Sequence, residues 1–199
     1  MRQPDNLFDP SATPPSCACP FCAIAETYRP FTPTEPPEQH SPCIDPDLIA
    51  PSAHIVLSTP DLIAFLDILP LSHGHLLLCP REHREKLTDV TADEAADLGR
   101  WLRILSKAMM RATGVEDWNV VQNNGAAAAQ VVPHMHYHII PRPDIRASGR
   151  YSESFTMFGR GKREELDDDE AHYLAEELRQ SVAAVVKEEE EDSKLKAKL

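Results

Sequence analysis

The stretch PHMHYHIIPR, residues 133–142, decides how this chain folds, because histidines alternate with apolar residues along it. His134, His136 and His138 are separated by a methionine and a tyrosine. Successive side chains of a β-strand point to opposite faces, so this period predicts a strand with three imidazoles on one face and core residues on the other. A neutral imidazole keeps a ring-nitrogen lone pair near neutral pH, which suits it to nucleophilic attack on phosphorus.

Other stretches predict the elements around this strand. Short runs of β-branched and apolar residues between turn residues indicate four further strands: HIVLS (54–58), LIAFLD (62–67), HLLLC (75–79) and WNVVQN (118–123). Thr91 and Glu94 form a capping-box pattern before apolar residues at helical spacing, which predicts a helix over 92–112. A second helix is predicted from Glu164 to about Lys187, and the acidic run 188–192 is interpreted as a solvated tail.

The length of 199 residues fits one domain with extensions. Residues 1–16 are predicted to be disordered. Residues 30–51 are a proline-rich insertion, whose proline density excludes a regular helix or a central strand. The predicted organisation is therefore a disordered N-terminus, a domain over 17–160 that contains the insertion, and a C-terminal helix with an acidic tail over 161–199.

The composition excludes some partners. A formal net charge of −12, with scattered Lys and Arg, disfavours nucleic acid, although local hydrogen bonds can still hold a small nucleotide. No apolar run approaches the roughly 20 residues that cross a bilayer, and the first residues lack the features of a secretory signal. We expect an intracellular protein, cytoplasmic or nuclear. The final Ala197-Lys198-Leu199 is similar to a peroxisomal address, although the tail is so rich in these residue types that chance also explains it.

The sequence Cys19-Pro-Phe-Cys22 is the second chemically informative stretch. A short helix after the proline would place its two sulfurs near one another. A C-x-x-C pair in a reducing compartment is compatible with a metal site, with free buried thiols or with a redox pair. The spacing alone does not choose among them.

Taken together, these stretches resemble the histidine-triad superfamily, whose signature is His-φ-His-φ-His-φ-φ with φ apolar. AFLDILPLSHGHLLLCPREH (64–83) is similar to the block that precedes the triad, and QNNGAAAAQ (122–130) is similar to the phosphate-binding loop of the family. The resemblance covers roughly residues 19–143. It implies an α+β fold with a five-stranded antiparallel sheet and a long helix, in a homodimer.

The resemblance also implies roles for individual residues. His136 would be the nucleophile that forms a covalent nucleotidyl intermediate, and His138 would contact the α-phosphate. Asp67 would take the ribose hydroxyls. The remaining implied substrate contacts are Asn123 and the backbone of Gln130 and Val131 at the phosphate oxygens, with Phe65 and Ile68 at the base and Phe21 and Ile24 as further candidates there.

Zinc-bearing branches of this superfamily place a C-x-x-C pair and two histidines around a structural zinc ion. The matching residues are Cys19, Cys22, His83 and His134, a donor set suited to tetrahedral Zn²⁺. The other three cysteines, Cys17, Cys43 and Cys79, match no ligand position. The implied zinc would scaffold the site rather than act on substrate.

The implied activity is that of a Hint-like purine nucleotide hydrolase or transferase, acting on nucleoside phosphoramidates or acyl-adenylates as an adenosine 5′-monophosphoramidase does. One departure bears on this expectation. Hint-like members carry a serine at Val131, where its hydroxyl helps to protonate the leaving group, and valine has no proton to give. Two alternatives follow: a Fhit-like hydrolase of diadenosine polyphosphates, and a nucleotide-binding interaction protein with incidental catalysis.

Overall fold

A computed structural model describes residues 19–142 and 166–197. Three α-helices and five β-strands follow one another in the order α1, β1, β2, β3, α2, β4, β5, α3. Their bounds are Pro20–Thr27 (α1), Ile55–Ser58 (β1), Leu62–Leu66 (β2), Leu76–Pro80 (β3), Ala92–Thr113 (α2), Trp118–Gln122 (β4), Tyr137–Pro141 (β5) and Asp168–Lys196 (α3). The predicted disorder of residues 1–16 and the last two residues of the predicted address lie outside the described residues.

The strands form one antiparallel sheet in the order β1-β2-β3-β5-β4, which confirms the predicted fold class. The triad strand β5 lies between β3 and β4, with His138 opposite Leu77 on one side and Val121 on the other. The sheet therefore brings the 62–80 hairpin and the loop after β4 to the two sides of the histidines. Because β4 ends the strand order, one of its edges has no strand partner among the described residues.

The strand predicted from the alternating histidines is correct only in part, because β5 begins at Tyr137. His134 and His136 lie just before it. The His134 N–H donates to the carbonyl of Val132 at 2.8 Å, and the Met135 N–H donates to the carbonyl of Arg84 at 2.6 Å, so neither joins the sheet ladder. Side chains still alternate here, since Met135 packs in the core beneath the helices while both imidazoles lie outside that core.

Helix α2 confirms the predicted capping box. Thr91 Oγ1 accepts from the Glu94 N–H at 3.2 Å, and the Glu94 carboxylate accepts from the Thr91 N–H at 2.8 Å. The helix ends at Gly114, whose φ of 68° is the left-handed conformation that glycine adopts at low cost. Its apolar face packs on the sheet, with Leu98, Leu105 and Met109 fully buried.

Helix α3 differs from its prediction at both ends. It begins at Asp168, because the Asp167 side chain caps it by accepting from the Glu170 N–H at 3.0 Å. It also continues through the acidic run 188–192, which the prediction placed beyond the helix; the run is mostly exposed. The physical reason is charge pairing with basic residues spaced four apart on α2: Glu188 contacts Arg111 at 2.6 Å, and Glu189 contacts Arg103 at 2.6 Å and Lys107 at 3.0 Å.

The sheet is covered on both faces. Helices α2 and α3 pack on one face, and α1 packs on the other together with the proline-rich segment 30–51. That segment contains one short 3₁₀ turn, Pro46–Leu48, as its proline content predicts. It is attached to the body through the Tyr28 hydroxyl, which donates to the Asp45 carbonyl at 2.8 Å. Within the described ranges, no helix is long and apolar enough to cross a membrane.

Candidate active site

His136 lies at the centre of the site and is 5% exposed. Its Nδ1 is 2.6 Å from the carbonyl oxygen of His134. Since a carbonyl can only accept, the proton of the neutral ring is on Nδ1 and the lone pair is on Nε2. Burial lowers the pKa of His136 below its usual 6.5, which favours this neutral form. The ring therefore has the protonation state and tautomer that a nitrogen nucleophile requires.

His138 is held by a histidine that the sequence reasoning did not single out. The Leu71 N–H donates to His75 Nδ1 at 3.1 Å, so the proton of a neutral His75 is on Nε2, 3.0 Å from His138 Nδ1. His138 Nδ1 therefore accepts a hydrogen bond from His75, and the proton of a neutral His138 ring is on Nε2. The rings of His136 and His138 are 4.8 Å apart. The arrangement places a hydrogen-bond donor, His138 Nε2, on the ring beside the candidate nucleophile.

Gly74 explains how His75 reaches this position. Its φ is +85°, and a Cβ added to it would lie 2.7 Å from the Thr113 side chain and 3.4 Å from Pro141. A glycine is therefore required where the turn into β3 approaches α2 and β5. The Gly-His pair in the quoted block was the available sequence signal for His75.

Asp67, at the end of β2, is 7% exposed and lies beside the same histidines. Its Oδ1 accepts from the Leu69 N–H at 2.9 Å, and its Oδ2 is 3.4 Å from His75 Nδ1 and 3.9 Å from His138 Nδ1. The structure thus brings the predicted ribose residue to the imidazole cluster. Ile68, which follows it, is 43% exposed.

The loop after β4 follows the strand that pairs with the triad strand β5. The Gln130 side chain closes it by accepting from the Gly125 N–H at 2.6 Å and donating to the Glu85 carbonyl at 2.7 Å. Asn123 Nδ2 is 3.5 Å from the Ala129 carbonyl, and Ala129 has a positive φ of 61°. The backbone N–H groups of this loop donate within it, and these hydrogen bonds hold its shape; they belong to Gly125, Ala128, Ala129 and Gln130. Val131, next in the chain, is 59% exposed.

An apolar wall borders His136 on the side of α1. The ring of Phe21 is 5.1 Å from that of His136 and 5.2 Å from that of Phe65, both in edge-to-face arrangements. Phe65 is 3% exposed and Ile24 is 8% exposed. Phe21 is thus in contact with the imidazole, and Phe65 packs against Phe21.

The four predicted metal ligands lie together. One ligand atom from each of Cys19, Cys22, His83 and His134 falls within 4.8 Å of all the others. His134 Nδ1 is 3.4 Å from the Cys19 sulfur and 3.6 Å from the Cys22 sulfur, and His83 Nδ1 is 3.3 Å from the Cys22 sulfur. A tetrahedral zinc ion at ordinary bond lengths separates sulfur from nitrogen by roughly 3.5 Å, so these distances fit one ion.

The surroundings of the cluster also suit a cation. His134 Nε2 is 2.9 Å from the Pro80 carbonyl, so this nitrogen donates and Nδ1 keeps its lone pair toward the sulfurs. Burial lowers the pKa of His134 to about 4 and, together with the neighbouring Cys19, raises that of Cys22 to about 12. A metal ion would reverse the second shift by stabilising the thiolates. Cys43 and Cys79 are free thiols outside the cluster, and Cys17 lies outside the described residues.

Comparison with known proteins identifies the family. The HIT domain model matches residues 50–145. The chain is 45% identical over 82 residues to the adenosine 5′-monophosphoramidase of Schizosaccharomyces pombe, a match that covers 41% of this chain and only 59% of that protein. It is 33% identical over 154 residues to the Candida albicans protein of the same name, covering 73% of this chain and 95% of that one.

Solved structures agree. A hypothetical histidine triad nucleotide-binding protein from Sulfolobus tokodaii superposes with a TM-score of 0.57 at 28% identity, over 67% of this chain and 86% of that one. The fold is thus shared with a histidine triad protein, and the sequence match spans nearly the whole Candida relative. We conclude that this chain belongs to the histidine triad (HIT) family.

Proposed function

We propose that this protein cleaves a bond to the α-phosphate of a purine nucleotide, in a nucleoside phosphoramidate or an acyl-adenylate, through a covalent nucleotidyl intermediate on His136. The observation that carries the proposal is the 2.6 Å contact between His136 Nδ1 and the His134 carbonyl. It places the lone pair on Nε2, and burial favours the neutral ring by lowering its pKa. A weak, unactivated side chain is thereby made a competent nucleophile.

Two displacements at phosphorus complete the reaction. In the first, the Nε2 lone pair forms a P–N bond while the bond to the leaving group breaks, and the leaving group departs with its electron pair and acquires a proton. In the second, water attacks the same phosphorus, the P–N bond breaks, and His136 is regenerated with release of the nucleoside monophosphate. Two such steps replace one difficult displacement.

The remaining predicted residues are given the roles that the resemblance implies. His138 bears its proton on Nε2 because its Nδ1 accepts from His75, and it can donate to a non-bridging phosphate oxygen. Asn123 and the backbone of Gln130 and Val131 would bind the other oxygens. Asp67 would accept from the ribose hydroxyls, and Phe65 and Ile68 would contact the base.

The relatives support the choice of substrate. Two of them, from Schizosaccharomyces pombe and Candida albicans, are named adenosine 5′-monophosphoramidases. The match to the first spans 59% of that protein, whereas the match to the second spans 95%. The activity of the Candida protein is thus the better guide for this chain.

Val131 favours a second candidate, Fhit-like hydrolysis of diadenosine polyphosphates. An amine leaves phosphorus readily only when it is protonated, and valine offers no proton. A polyphosphate leaving group departs as a stable anion, so it depends less on a proton donor. Since Val131 is 59% exposed, Val131→Ser costs little stability, and it should speed phosphoramidate cleavage more than polyphosphate cleavage.

A substrate panel tests the proposal. Turnover of adenosine 5′-phosphoramidate and of diadenosine triphosphate would be compared, and the acid-quenched enzyme would be analysed by mass spectrometry. Preferred turnover of the phosphoramidate, with an adenylyl adduct on His136, is the expected result. Preference for diadenosine triphosphate would favour the Fhit-like activity. Tight nucleotide binding without turnover of either compound would refute the enzymatic proposal in favour of an interaction protein.

We also propose that Cys19, Cys22, His83 and His134 hold a structural zinc ion, since their donor atoms and spacing fit one. The ion would stabilise the thiolates and fasten α1 to the segment before β5. His134 would be occupied as a ligand, so the reaction steps belong to His136 and His138.

A homodimer is proposed from the surface beside β4. Trp118 and Val120 on this strand are 37% and 43% exposed. They line an apolar groove with residues of α2 that include Leu102 and Met110. A second copy could pair along the edge of β4 and cover this groove, which would bury exposed aromatic surface and satisfy the backbone groups of that edge. Light scattering should give twice the chain mass, and Trp118→Lys should yield monomers.

A further inference from the structure

Two contacts of the His136 imidazole involve the metal-ligand cluster, and a third, with the ring of His138 at 4.8 Å, does not. The first is the hydrogen bond from Nδ1 to the carbonyl of His134, itself one of the four ligand residues. The second is the edge-to-face contact with Phe21 at 5.1 Å and an interplanar angle of 86°. The orientation of the His136 ring therefore depends in part on how well this cluster is ordered.

Phe21 lies in the chain between two ligands. Cys19 is the N-cap of α1, and Cys22 belongs to its first turn. The Phe21 side chain is 7% exposed and is wedged between the rings of Phe65 and His136. A shift of the N-terminal turn of α1 would carry this ring with it, because the backbone on either side belongs to the cluster.

Helix α1 is short and lacks a side-chain cap at its amino end, so interactions within the helix do little to fix its first turn. It has eight residues, too few to be stable alone, and no side chain caps its amino end. At its carboxyl end, the guanidinium of Arg81 donates to the carbonyls of Ala25 at 2.5 Å and Tyr28 at 2.6 Å. The amino end has the Cys19 and Cys22 sulfurs instead, next to the imidazoles of His83 and His134.

We propose that metal binding at this cluster sets the orientation of the His136 ring through Phe21, which makes Phe21 a positioning residue for the nucleophile as well as a neighbour of the base site. The inference rests on the proposed function. Two roles of Phe21, a wall of the base pocket and a positioning residue, predict different kinetics. A wall of the base pocket would act on substrate binding and so on KM, whereas a residue that orients the nucleophile would act on kcat.

The experiment uses zinc-loaded wild-type protein and three variants. Phe21→Leu removes the ring but keeps an apolar side chain, and Phe21→Tyr keeps the ring. Phe31→Leu is the matched control, because Phe31 also packs on the α1 side of the sheet but makes no ring contact with His136 among the contacts of the described residues. Each protein is assayed with adenosine 5′-phosphoramidate, before and after zinc removal and after zinc is restored. The imidazole C–H signals of His136 are followed by NMR and assigned from their loss in His136→Gln.

Phe21→Leu should keep one zinc per chain and lose about tenfold in kcat, with KM changed by no more than about twofold. Phe21→Tyr and Phe31→Leu should stay within about twofold of wild type. Zinc removal from wild type should lower kcat and shift the His136 signals, both reversibly. The same removal from Phe21→Leu should lower kcat by a clearly smaller factor, because one of the two routes is already lost.

Three results would overturn the inference. Phe21→Leu could change KM alone, or the NMR signals of His136 could stay the same when zinc is removed. Zinc removal could also lower kcat equally in wild type and in Phe21→Leu. Protein that binds no zinc would overturn it as well. Failure of the proposed function gives a different result, namely no turnover and no adduct on His136 in the zinc-loaded wild type. Because Phe21→Leu retains its metal, the comparison of its kcat and KM with those of zinc-loaded wild type does not depend on the folding of metal-free protein.

Discussion

Replacing Arg81 by methionine should loosen α1 and with it the metal-ligand cluster. The Arg81 guanidinium donates to the carbonyls of Ala25, Tyr28 and Thr59 and to the hydroxyl of Ser58. It thereby joins the carboxyl end of α1 to the turn between β1 and β2. Methionine preserves most of the apolar stem, so the change isolates the loss of these hydrogen bonds.

The size of the effect follows from these contacts. Hydrogen bonds to a charged group contribute about 1.5–3 kcal/mol each, but the four share one partly buried cation whose desolvation offsets much of the gain. We expect a net loss of about 3 kcal/mol, a large part of the 5–15 kcal/mol typical of a domain. For a chain of this size that corresponds to a fall in Tm of roughly 6–12 °C.

Equilibrium urea unfolding and thermal denaturation would measure the change. Arg29→Met is the matched control, because Arg29 is exposed and no ion pair involves it among the described residues; it should stay within about 0.5 kcal/mol of wild type. Arg81→Met should also bind zinc more weakly. A loss below about 1 kcal/mol, or a loss equal to that of Arg29→Met, would refute the assignment of Arg81 as the anchor of α1.

The other predictions concern the site directly. His136→Ala should reduce turnover about a thousandfold or more while nucleotide binding persists, and near-normal turnover would exclude the covalent mechanism. Asp67→Ala should raise KM more for ribonucleotides than for 2′-deoxy analogues, and equal effects would remove Asp67 from the ribose site. Protonation of His136 removes its lone pair, so activity should fall at low pH; because burial lowers its pKa, the midpoint of kcat/KM should lie below 6.5, and a midpoint above that value would contradict the burial argument. Cys19→Ser and Cys22→Ser should each lose about one zinc per chain and lower Tm, whereas Cys43→Ser should do neither.

The strands and α2 could be predicted because their signals are local. The capping box links Thr91 to Glu94, three residues apart, and the alternation around His136 has a period of two. Each of these patterns reports the geometry of one backbone segment, which is why the predicted elements appear within a few residues of their observed bounds.

The carboxyl end of α3 was predicted too early, because the contacts of the acidic run are not local. A charged segment is usually solvated when only its own sequence is considered. Glu188 and Glu189 are paired because α3 crosses α2 where Arg103, Lys107 and Arg111 form a row. That crossing brings together residues far apart in the chain, and no local pattern reports it.

By itself, the sequence determined the family, the α+β fold and the identity of the candidate nucleophile and ligands, because these depend on residue types at short, regular spacing. Only the tertiary structure decided the chemical state of those residues. The tautomers of His136 and His138 follow from the His134 carbonyl and from His75, and the metal-ligand cluster forms only where α1 meets the segment before β5. Protonation and ligand geometry depend on which atoms lie within about 3–4 Å, and folding sets those distances between residues as much as 115 positions apart.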